Sequence, residues 1–375
     1  MIIKNAKVFR PDGRFAEGDV AIDGAYFAET AVGEEIDASG CYAIPGLIDI
    51  HIHGCVGEDF SFADVEGIAK MARYQAENGV TAVCATTLTL PEAQLAQACR
   101  NIAATKAPGI AAIAGIHLEG PFISPNKAGA QNPAHIAAPS MQMFENLQEA
   151  AQGMVKMLAI APEMPGAMEM IDAFGGKIVC SLAHTTADYQ TALEAFSRGA
   201  RLITHMYNAM PPLNHREPGV IGAAMDSPHC SVELICDNVH VHPSAVRAAF
   251  AMFGDDRVIM ISDSMAATGL GDGTYEIGGL AVTVQGNKSV LSHNGTIAGS
   301  VANLMECVRI AATQMDISLG RAVKCASVNP AKAIGVYNER GSIEPGKYAD
   351  LVLLNPDLSI RKVFLRGEML YRNPT

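Results

Sequence analysis

Short apolar runs alternate with amphipathic stretches along most of the chain. Eight runs rich in Val, Ile and Ala lie at about residues 44–53, 80–88, 110–119, 155–161, 177–183, 200–206, 231–236 and 257–262. Between most of them the periodicity is helical, as where Val65, Ile68 and Ala72 share one face. Continuous apolar runs are typical of parallel strands that are buried on both faces. The pattern therefore predicts an α/β fold, and eight successive units favour a (β/α)8 TIM-type barrel over an open doubly wound sheet.

The two ends of the chain have a different pattern, of short strands and tight turns. Residues 1–43 carry the turn signals Pro11-Asp12-Gly13 and Asp23-Gly24, and the tail returns to the same character. We therefore predict two domains. Residues 1–43 and 341–375 would form a small β-sandwich domain from both termini, and residues 44–340 would form the barrel. A Gly-containing segment at 274–293 predicts a hairpin beside the barrel.

Composition and charge narrow the class of protein. The 375 residues are 49% hydrophobic and 18% charged, as expected of a globular protein. A net charge of −12 without any basic run argues against nucleic acid and membrane partners, and no apolar run approaches the roughly 18 residues that span a bilayer. The nine cysteines form no C-x-x-C pair, and Met1 to Asn5 does not begin a secretory signal. We therefore expect a cytoplasmic protein with free thiols.

Side chains that can bind a metal stand at the ends of five predicted strands. His51 and His53 end the first strand, Glu119 the third, His184 the fifth, His205 the sixth and Asp263 the eighth. The active-site groups of such barrels gather at the carboxyl ends of the strands. Residues two apart on a strand share a face, so both imidazoles of an H-x-H motif can reach one ion. Because a buried carboxylate is costly without a cation, Glu119 is the expected central ligand of a metal-dependent hydrolase.

Each of these residues also has an ordinary structural explanation. Glu119 could form a buried salt bridge, and His184 and His205 could be core histidines. Asp263 could simply cap the helix that follows it. His117 shares a face with Glu119 but lies deeper, so we expect it in the core or behind the ligands. The coincidence of several such groups at strand ends favours the metal site.

Six segments resemble the amidohydrolase superfamily, and the similarity extends over nearly the whole chain. They are HLEGPF at 117–122, THMYNAM at 204–210, REPG at 216–219, SDSMAATGLGDG at 262–273, GTIAGS at 295–300 and EPGKYADLV at 344–352. The resemblance implies hydrolysis of the N-acetyl group of N-acetylglucosamine 6-phosphate, giving glucosamine 6-phosphate and acetate in amino-sugar catabolism. The C4 epimer, N-acetylgalactosamine 6-phosphate, and other small amides remain open as substrates.

The resemblance also implies a role for each matched position. Glu119, His184 and His205 would hold a metal, Asp263 would be the catalytic acid/base, and His51 and His53 would hold a second ion bridged by Glu119. Zn²⁺ is the expected ion, one or two per chain, although a site of nitrogen and oxygen ligands also accepts Fe²⁺, Mn²⁺ or Co²⁺. The phosphorylated amino sugar would be bound by Ala130, Gln131, Asn208, Ala209, Arg216, His240, Ile297, Ala298 and Gly299. Such enzymes are commonly homodimers, in which Arg216 could serve the neighbouring subunit.

Gln131 departs from the family pattern, because many relatives carry His at this position. Glutamine can donate a hydrogen bond but cannot carry charge, so either the metal polarises the amide more strongly or the preferred substrate differs. Other amidohydrolases bridge two ions with a carbamylated Lys on the fourth strand, but the candidate here, Lys156, stands at the wrong end of that strand. A sugar-phosphate sensor without turnover is the alternative from a different class of protein.

Overall fold

Eight parallel strands form the barrel that the apolar runs predict. The computed structural model describes residues 1–370, and residues 371–375 of the predicted small domain lie outside the described residues. The barrel strands are Leu47–Ile52, Val80–Thr87, Ala112–Glu119, Val155–Ile160, Val179–Leu182, Leu202–Ile203, Ser231–Ile235 and Val258–Ile261. Each strand pairs with its neighbours in this order. Backbone hydrogen bonds at the carboxyl ends of the first and eighth strands join these two strands and complete the ring. There the Asp263 amide donates to the His51 carbonyl at 3.0 Å, and the His53 amide donates to the Ser264 carbonyl at 2.9 Å.

Helices cover the outside of the barrel. The α-helices are Val65–Glu77, Glu92–Ala104, Met141–Ala150, Ala167–Phe174, Tyr189–Ser197, Gly219–Met225, Pro243–Arg257, Leu304–Gln314, Leu319–Ala326 and Val328–Ala333. Two short 3₁₀ turns, Pro125–Lys127 and Pro133–His135, lie in the loop after the third strand. The first helix begins where Asp64 accepts a hydrogen bond from the Gly67 amide. It buries Ile68 and Ala72 of the predicted apolar face, but Val65, in its first turn, is 40% exposed.

Strands from both chain ends form a second, smaller sheet. They are Ile2–Phe9, Phe15–Asp23, Tyr26–Ala28, Glu35–Asp37, Tyr42–Pro45, Leu351–Leu354, Ile360–Leu365 and Glu368–Leu370. The two chain ends meet where Tyr42–Pro45 pairs antiparallel with Leu351–Leu354, and the sheet buries a core of its own that includes Phe27 and Phe364. The predicted fold class, a barrel with a small β domain from both termini, is therefore confirmed. The small sheet runs to Pro45 and the first barrel strand begins at Leu47, close to the boundary predicted between residues 43 and 44. The domain boundaries themselves remain predictions.

Short strands follow the first and the eighth barrel strands at the carboxyl end of the barrel. Three antiparallel strands, Gly273–Ile277, Leu280–Gln285 and Lys288–Leu291, follow the eighth barrel strand where the hairpin is predicted. Two very short strands, Gly54–Cys55 and Glu58–Asp59, follow the first. Within residues 1–370, no helix combines the length and the apolar content needed to cross a membrane.

Candidate metal centre and active site

Glu119 lies at the centre of a cluster of histidines at the carboxyl end of the barrel. Its Oε1 lies 3.0 Å from Nε2 of His205, 3.2 Å from Nε2 of His184 and 3.4 Å from Nε2 of His51, and its Oε2 lies 3.0 Å from Nε2 of His53. All five side chains are buried. The structure thus brings together residues that are as many as 154 positions apart in the chain, from His51 to His205.

The tautomer of His184 indicates what the cluster requires. Its Nδ1 lies 2.8 Å from the carbonyl oxygen of Lys127, which can only accept, so Nδ1 carries the proton. In a neutral ring the Nε2 lone pair then faces the Glu119 carboxylate at 3.2 Å. A lone pair and a carboxylate oxygen repel each other unless a cation or a further proton lies between them. The arrangement therefore fits a bound cation.

The spacing of the ligand atoms also fits a divalent ion. Ligands at about 2.1 Å from a tetrahedral ion lie about 3.4 Å from one another. Glu119 Oε1 and the Nε2 atoms of His184 and His205 are separated by 3.0 to 3.2 Å. These three residues therefore have the donor types and separations of a compact metal site, which we call the first group.

A second group of potential ligands lies on the other side of Glu119. The Nε2 atoms of His51 and His53 are 3.4 Å apart. Asp263 Oδ1 lies 3.4 Å from the former and 3.5 Å from the latter. The Glu119 carboxylate contacts both groups: Oε1 contacts the first group and His51, and Oε2 contacts His53. The donor types in the two groups suit cations, and Glu119 lies between the groups.

The electrostatics of the cluster favour positive charge. Burial alone would lower the pKa of His51, but the carboxylates of Glu119 and Asp263 raise that pKa well above its usual value. Burial would raise the pKa of Glu119, but His51 and the neighbouring imidazoles hold it well below its usual range. Three carboxylates, of Glu119, Asp263 and Glu233, surround these rings. The barrel end therefore attracts cations.

Left-handed backbone conformations aim three of these side chains into the barrel mouth. The φ angles are +43° at His184, +30° at His205 and +49° at Asp263. Such conformations cost about 1–3 kcal/mol each for residues other than glycine, and they persist where the surroundings hold them. At Asp263 the surroundings include two backbone hydrogen bonds, one to the His51 carbonyl and one from the Ser300 amide. The concentration of strain at strand ends is typical of a functional site.

A cavity of about 390 Å³ opens above the cluster. Of the predicted metal and catalytic residues, His53, Glu119, His184, His205 and Asp263 reach its wall. Of the predicted substrate-binding residues, Ala130, Gln131, Asn208, Ala209, His240, Ile297 and Gly299 line it. His51 lies fully buried beneath the wall, Ala298 is buried behind it, and Arg216 lies in an exposed loop outside the lining. Lys127 and Thr296 line the cavity without having been predicted.

Gln131 connects the cavity wall to the cluster. Its Oε1 accepts a hydrogen bond from the Thr89 amide at 2.8 Å, and its Nε2 donates to Glu119 Oε2 at 2.6 Å. Both ends of the amide are thus engaged. Gln131 is therefore fixed in place, and its hydrogen bond restrains the rotation of the Glu119 carboxylate.

His240 lies in the cavity wall, where its imidazole is bonded to a carboxylate. Its Nδ1 lies 2.6 Å from Asp237 Oδ2, and Asp237 Oδ1 accepts from the amides of Val239 and His240. Burial alone would lower the pKa of His240, but the hydrogen bond and the charge of Asp237 raise it. A protonated imidazole at a cavity wall is suited to an anionic group such as a phosphate.

Glu233 was missed by the sequence analysis. It lies fully buried in the seventh barrel strand, with Oε2 2.9 Å from His51 Nδ1 and 3.1 Å from the His205 amide. The signal was present in Ser231-Val232-Glu233-Leu234-Ile235, where a lone carboxylate interrupts an apolar run. Lys156, in contrast, lies where predicted, at the second residue of the fourth strand and away from the cluster.

The barrel and the carboxylate–histidine cluster at its carboxyl end define the class, which is that of TIM-barrel metal-dependent hydrolases. Residues 42–370 match the Amidohydrolase family, and the chain belongs to this family, which implies a divalent metal. N-acetylglucosamine-6-phosphate deacetylase of Bacillus subtilis (strain 168) is 39% identical over 334 residues, covering 88% of this chain and 84% of the relative. The enzyme of the same name from Vibrio furnissii is 37% identical over 333 residues, covering 88% and 82%.

Solved structures of enzymes with the same name superpose over almost the entire chain. A mutant of N-acetyl-D-glucosamine-6-phosphate deacetylase from Mycobacterium smegmatis, in complex with N-acetyl-D-glucosamine 6-phosphate, has a TM-score of 0.92 at 31% identity and covers 98% of each chain. The enzyme from Thermotoga maritima has a TM-score of 0.88 at 30% identity and covers 100% of each chain. The similarity therefore includes the small β domain as well as the barrel.

Proposed function

We propose that this protein is a metal-dependent hydrolase that removes the acetyl group from N-acetylglucosamine 6-phosphate. The products are glucosamine 6-phosphate and acetate, as expected of an enzyme of amino-sugar catabolism. The observation that carries the proposal is the cluster of Glu119, His184 and His205, which lines the same cavity as Asp263. The chain is also 39% identical to a named deacetylase.

The proposed metal ligands are Glu119, His184 and His205 in the first group. Their donor atoms and their separations of 3.0 to 3.2 Å support this assignment. His51 and His53 are the proposed ligands of a second ion. We propose Zn²⁺ as the ion, although Fe²⁺, Mn²⁺ and Co²⁺ suit the same nitrogen and oxygen donors. A divalent ion held there lowers the pKa of water and polarises the acetamide carbonyl.

Asp263 is the proposed general base and general acid. It lines the cavity with 12% of its side chain exposed, and only one of its carboxylate oxygens contacts the histidines. It accepts a proton from the attacking water as the new C–O bond forms. It then returns that proton to the nitrogen as the C–N bond breaks, so the amine leaves neutral and acetic acid forms, which ionises to acetate by losing its proton to solvent. An amine is a poor leaving group, so this second transfer is needed.

The remaining cavity residues bind the sugar in this proposal. Protonated His240, the side chain of Asn208 and the backbone of Ala209 hold the 6-phosphate at one end. Ala130, Gln131, Ile297 and Gly299 surround the sugar and the acetamide, and Ala298 supports this wall from behind. The hydrogen bond from Gln131 to Glu119 supports a role in which Gln131 orients the Glu119 carboxylate and does not polarise the carbonyl of the substrate's amide.

Arg216 motivates the proposal of a homodimer. It matches a phosphate-binding position, and a guanidinium suits a phosphate because it can donate to two oxygens at once. In its own chain Arg216 is exposed and lies outside the cavity lining. We propose that it completes the phosphate site of a second copy. We also propose a cytoplasmic location, which is supported by the nine free, buried cysteines.

A substrate panel tests the proposed reaction. Acetate release is measured on N-acetylglucosamine 6-phosphate, its C4 epimer and unphosphorylated N-acetylglucosamine, with metal analysis of the same sample. The expected result is metal-dependent turnover of the first compound and little of the third, since the cavity carries a cationic end for the phosphate. Preference for the epimer would redefine the substrate. Binding of all three compounds without acetate would favour the sensor and overturn the proposal.

A further inference from the structure

Glu233 is a buried carboxylate without an ordinary counter-ion. Its side chain is fully buried in the seventh barrel strand. Within residues 1–370 it has no lysine or arginine at ion-pair distance, and its Oε1 has no hydrogen-bond partner. Burying an ionised carboxylate without compensation costs several kcal/mol. A residue kept under these conditions requires positive charge from a nearby source that is neither a lysine nor an arginine.

The contacts of Glu233 all lead to the candidate metal ligands. Oε2 is 2.9 Å from Nδ1 of His51, and it also accepts from the backbone amide of His205 at 3.1 Å. A carboxylate can only accept hydrogen bonds, so Nδ1 of His51 carries the proton in this pair. The other ring nitrogen, Nε2, then has its lone pair directed at the second group.

The His51 ring is held from a second side as well. His117 packs against it edge to face, with ring centroids 4.8 Å apart and an interplanar angle of 80°. His117 is fully buried, and within residues 1–370 neither of its ring nitrogens has a hydrogen-bond partner, so its contact with His51 is one of packing. Together Glu233 and His117 set the tautomer and the ring plane of a side chain that itself has no access to solvent.

From these contacts we infer that Glu233 is a positioning residue that selects a second divalent ion, held by His51, His53 and Asp263 beside the first. This inference rests on the metal site of the proposed function and goes beyond it by assigning the residue on which the second ion depends. A carboxylate bonded to the distal nitrogen of a ligating histidine orients the ring and raises its basicity. Loss of such a partner commonly weakens metal binding by about 10–100-fold.

The balance of charge supports two ions rather than one. Glu119, Asp263 and Glu233 place three carboxylates around the cluster. A single divalent ion leaves one negative charge, and a protonated His51, which cannot bind a metal, is the alternative that offsets it. A second ion leaves a net positive charge, which suits the anion that forms when the carbonyl is attacked. Removing the charge of Glu233 reduces the need for the second ion.

Metal titration of Glu233→Gln tests the inference without relying on turnover. Glutamine keeps the size of the side chain and an oxygen that accepts from His51 and His205, but it is neutral. Chelated protein is titrated with Mn²⁺, and bound metal is measured by elemental analysis while the EPR signal reports coupling between adjacent ions. Wild type is expected to bind two equivalents. E233Q is expected to bind the second about 10–100-fold more weakly and the first within about threefold of wild type.

A double-mutant cycle separates positioning from a general structural role. His51→Gln removes the ligand itself and is expected to weaken the second equivalent more than E233Q does, to a dissociation constant that high Mn²⁺ concentrations still measure. If Glu233 acts through His51, the H51Q/E233Q double variant binds no more weakly than H51Q alone. Asp49→Asn is the matched control. Asp49 is also fully buried, and it accepts from the Ser262 hydroxyl and from the backbone amides of Ser262 and His51, but among residues 1–370 it bonds to no ligating ring. D49N is expected to keep both equivalents. E233L, which replaces the buried charge by an apolar side chain, is the second variant if E233Q does not fold.

The outcomes distinguish this inference from the proposed function. Wild type that releases acetate with one equivalent bound overturns the inference and leaves the deacetylase proposal intact. Equal weakening of both equivalents in E233Q, or a further loss in the double variant, also overturns it. A third equivalent would place an ion between Glu233, His51 and His117, which contradicts the hydrogen-bonding role. Wild type without acetate release refutes the proposed function instead.

Discussion

Asp263→Asn is the substitution from which the proposed chemistry can be measured most cleanly. Asparagine has the same shape, and it adopts the left-handed backbone conformation found here, φ +49°, more readily than most residues. The two backbone hydrogen bonds at this position do not involve the side chain. The fold should therefore be preserved while the ability to accept a proton is lost.

The size of the expected effect follows from the position of the carboxylate. Asp263 is the one residue in the cavity wall to which we assign both proton transfers, and a positioned acid or base contributes about 10²–10⁴-fold. That factor corresponds to about 2.7–5.4 kcal/mol of barrier at 1.36 kcal/mol for each factor of ten. The loss should appear in kcat, and KM for the substrate should change little, since the proposed phosphate contacts are elsewhere in the cavity.

The assay is acetate release at saturating metal, with metal content measured on the same protein. Metal content is needed because Asp263 Oδ1 also lies 3.4–3.5 Å from His51 and His53, so the substitution weakens the second group as well. Asp272→Asn is the control, since Asp272 lies in the same loop but is exposed and outside the cavity lining. A loss of less than tenfold in metal-loaded D263N would refute the assigned role.

Three further predictions concern the cluster, the phosphate site and the thiols. His184→Gln is expected to weaken the first metal equivalent by at least tenfold in the same titration, and unchanged binding would remove His184 from the ligand set. Because Asp237 raises the pKa of His240, KM for the 6-phosphate substrate should stay low up to a pH above the usual His value and rise as pH passes the raised pKa. Asp237→Asn should move that rise to lower pH, and a pH profile of KM that does not move would contradict the assignment. The nine cysteines are buried, so a thiol reagent should label none quickly in the native protein and all nine after denaturation; fast labelling of the native protein would contradict their burial.

The barrel could be predicted because its strands are local, continuous patterns. The third strand was expected to end at Glu119, and it does, because the apolar run stops there and the turn-forming pair Gly120-Pro121 follows. The helix after the first strand follows from the period of Val65, Ile68 and Ala72 in the same way. These signals need only neighbouring residues.

Other features depend on partners that no local pattern contains. Glu233 bonds to His51, which lies 182 positions earlier in the chain, so its role emerges only when the ring of strands closes. Ile297 and Gly299 line the cavity while Ala298 between them does not, and an irregular loop has no period from which to predict that alternation. Arg216 lies in a loop without regular structure, and its exposed position is not encoded by hydrophobic periodicity.

The small sheet illustrates the same distinction. The short strands and turns of residues 1–43 were visible in the sequence, but the pairing of Tyr42–Pro45 with Leu351–Leu354 joins segments about 300 residues apart. Register between distant strands is set by which faces are buried together. That both ends build one domain was expected from their shared strand-and-turn character, but the register of their pairing was not.

The central claim is that a divalent ion, held at Glu119, enables the hydrolysis of the acetamide. The most direct test is to remove metal with a chelator, add Zn²⁺ back in stoichiometric steps and follow acetate release from N-acetylglucosamine 6-phosphate at each step. We predict no release from the metal-free protein and recovery that is complete at one or two equivalents per chain. Full activity in protein whose metal content is zero by elemental analysis would contradict the account.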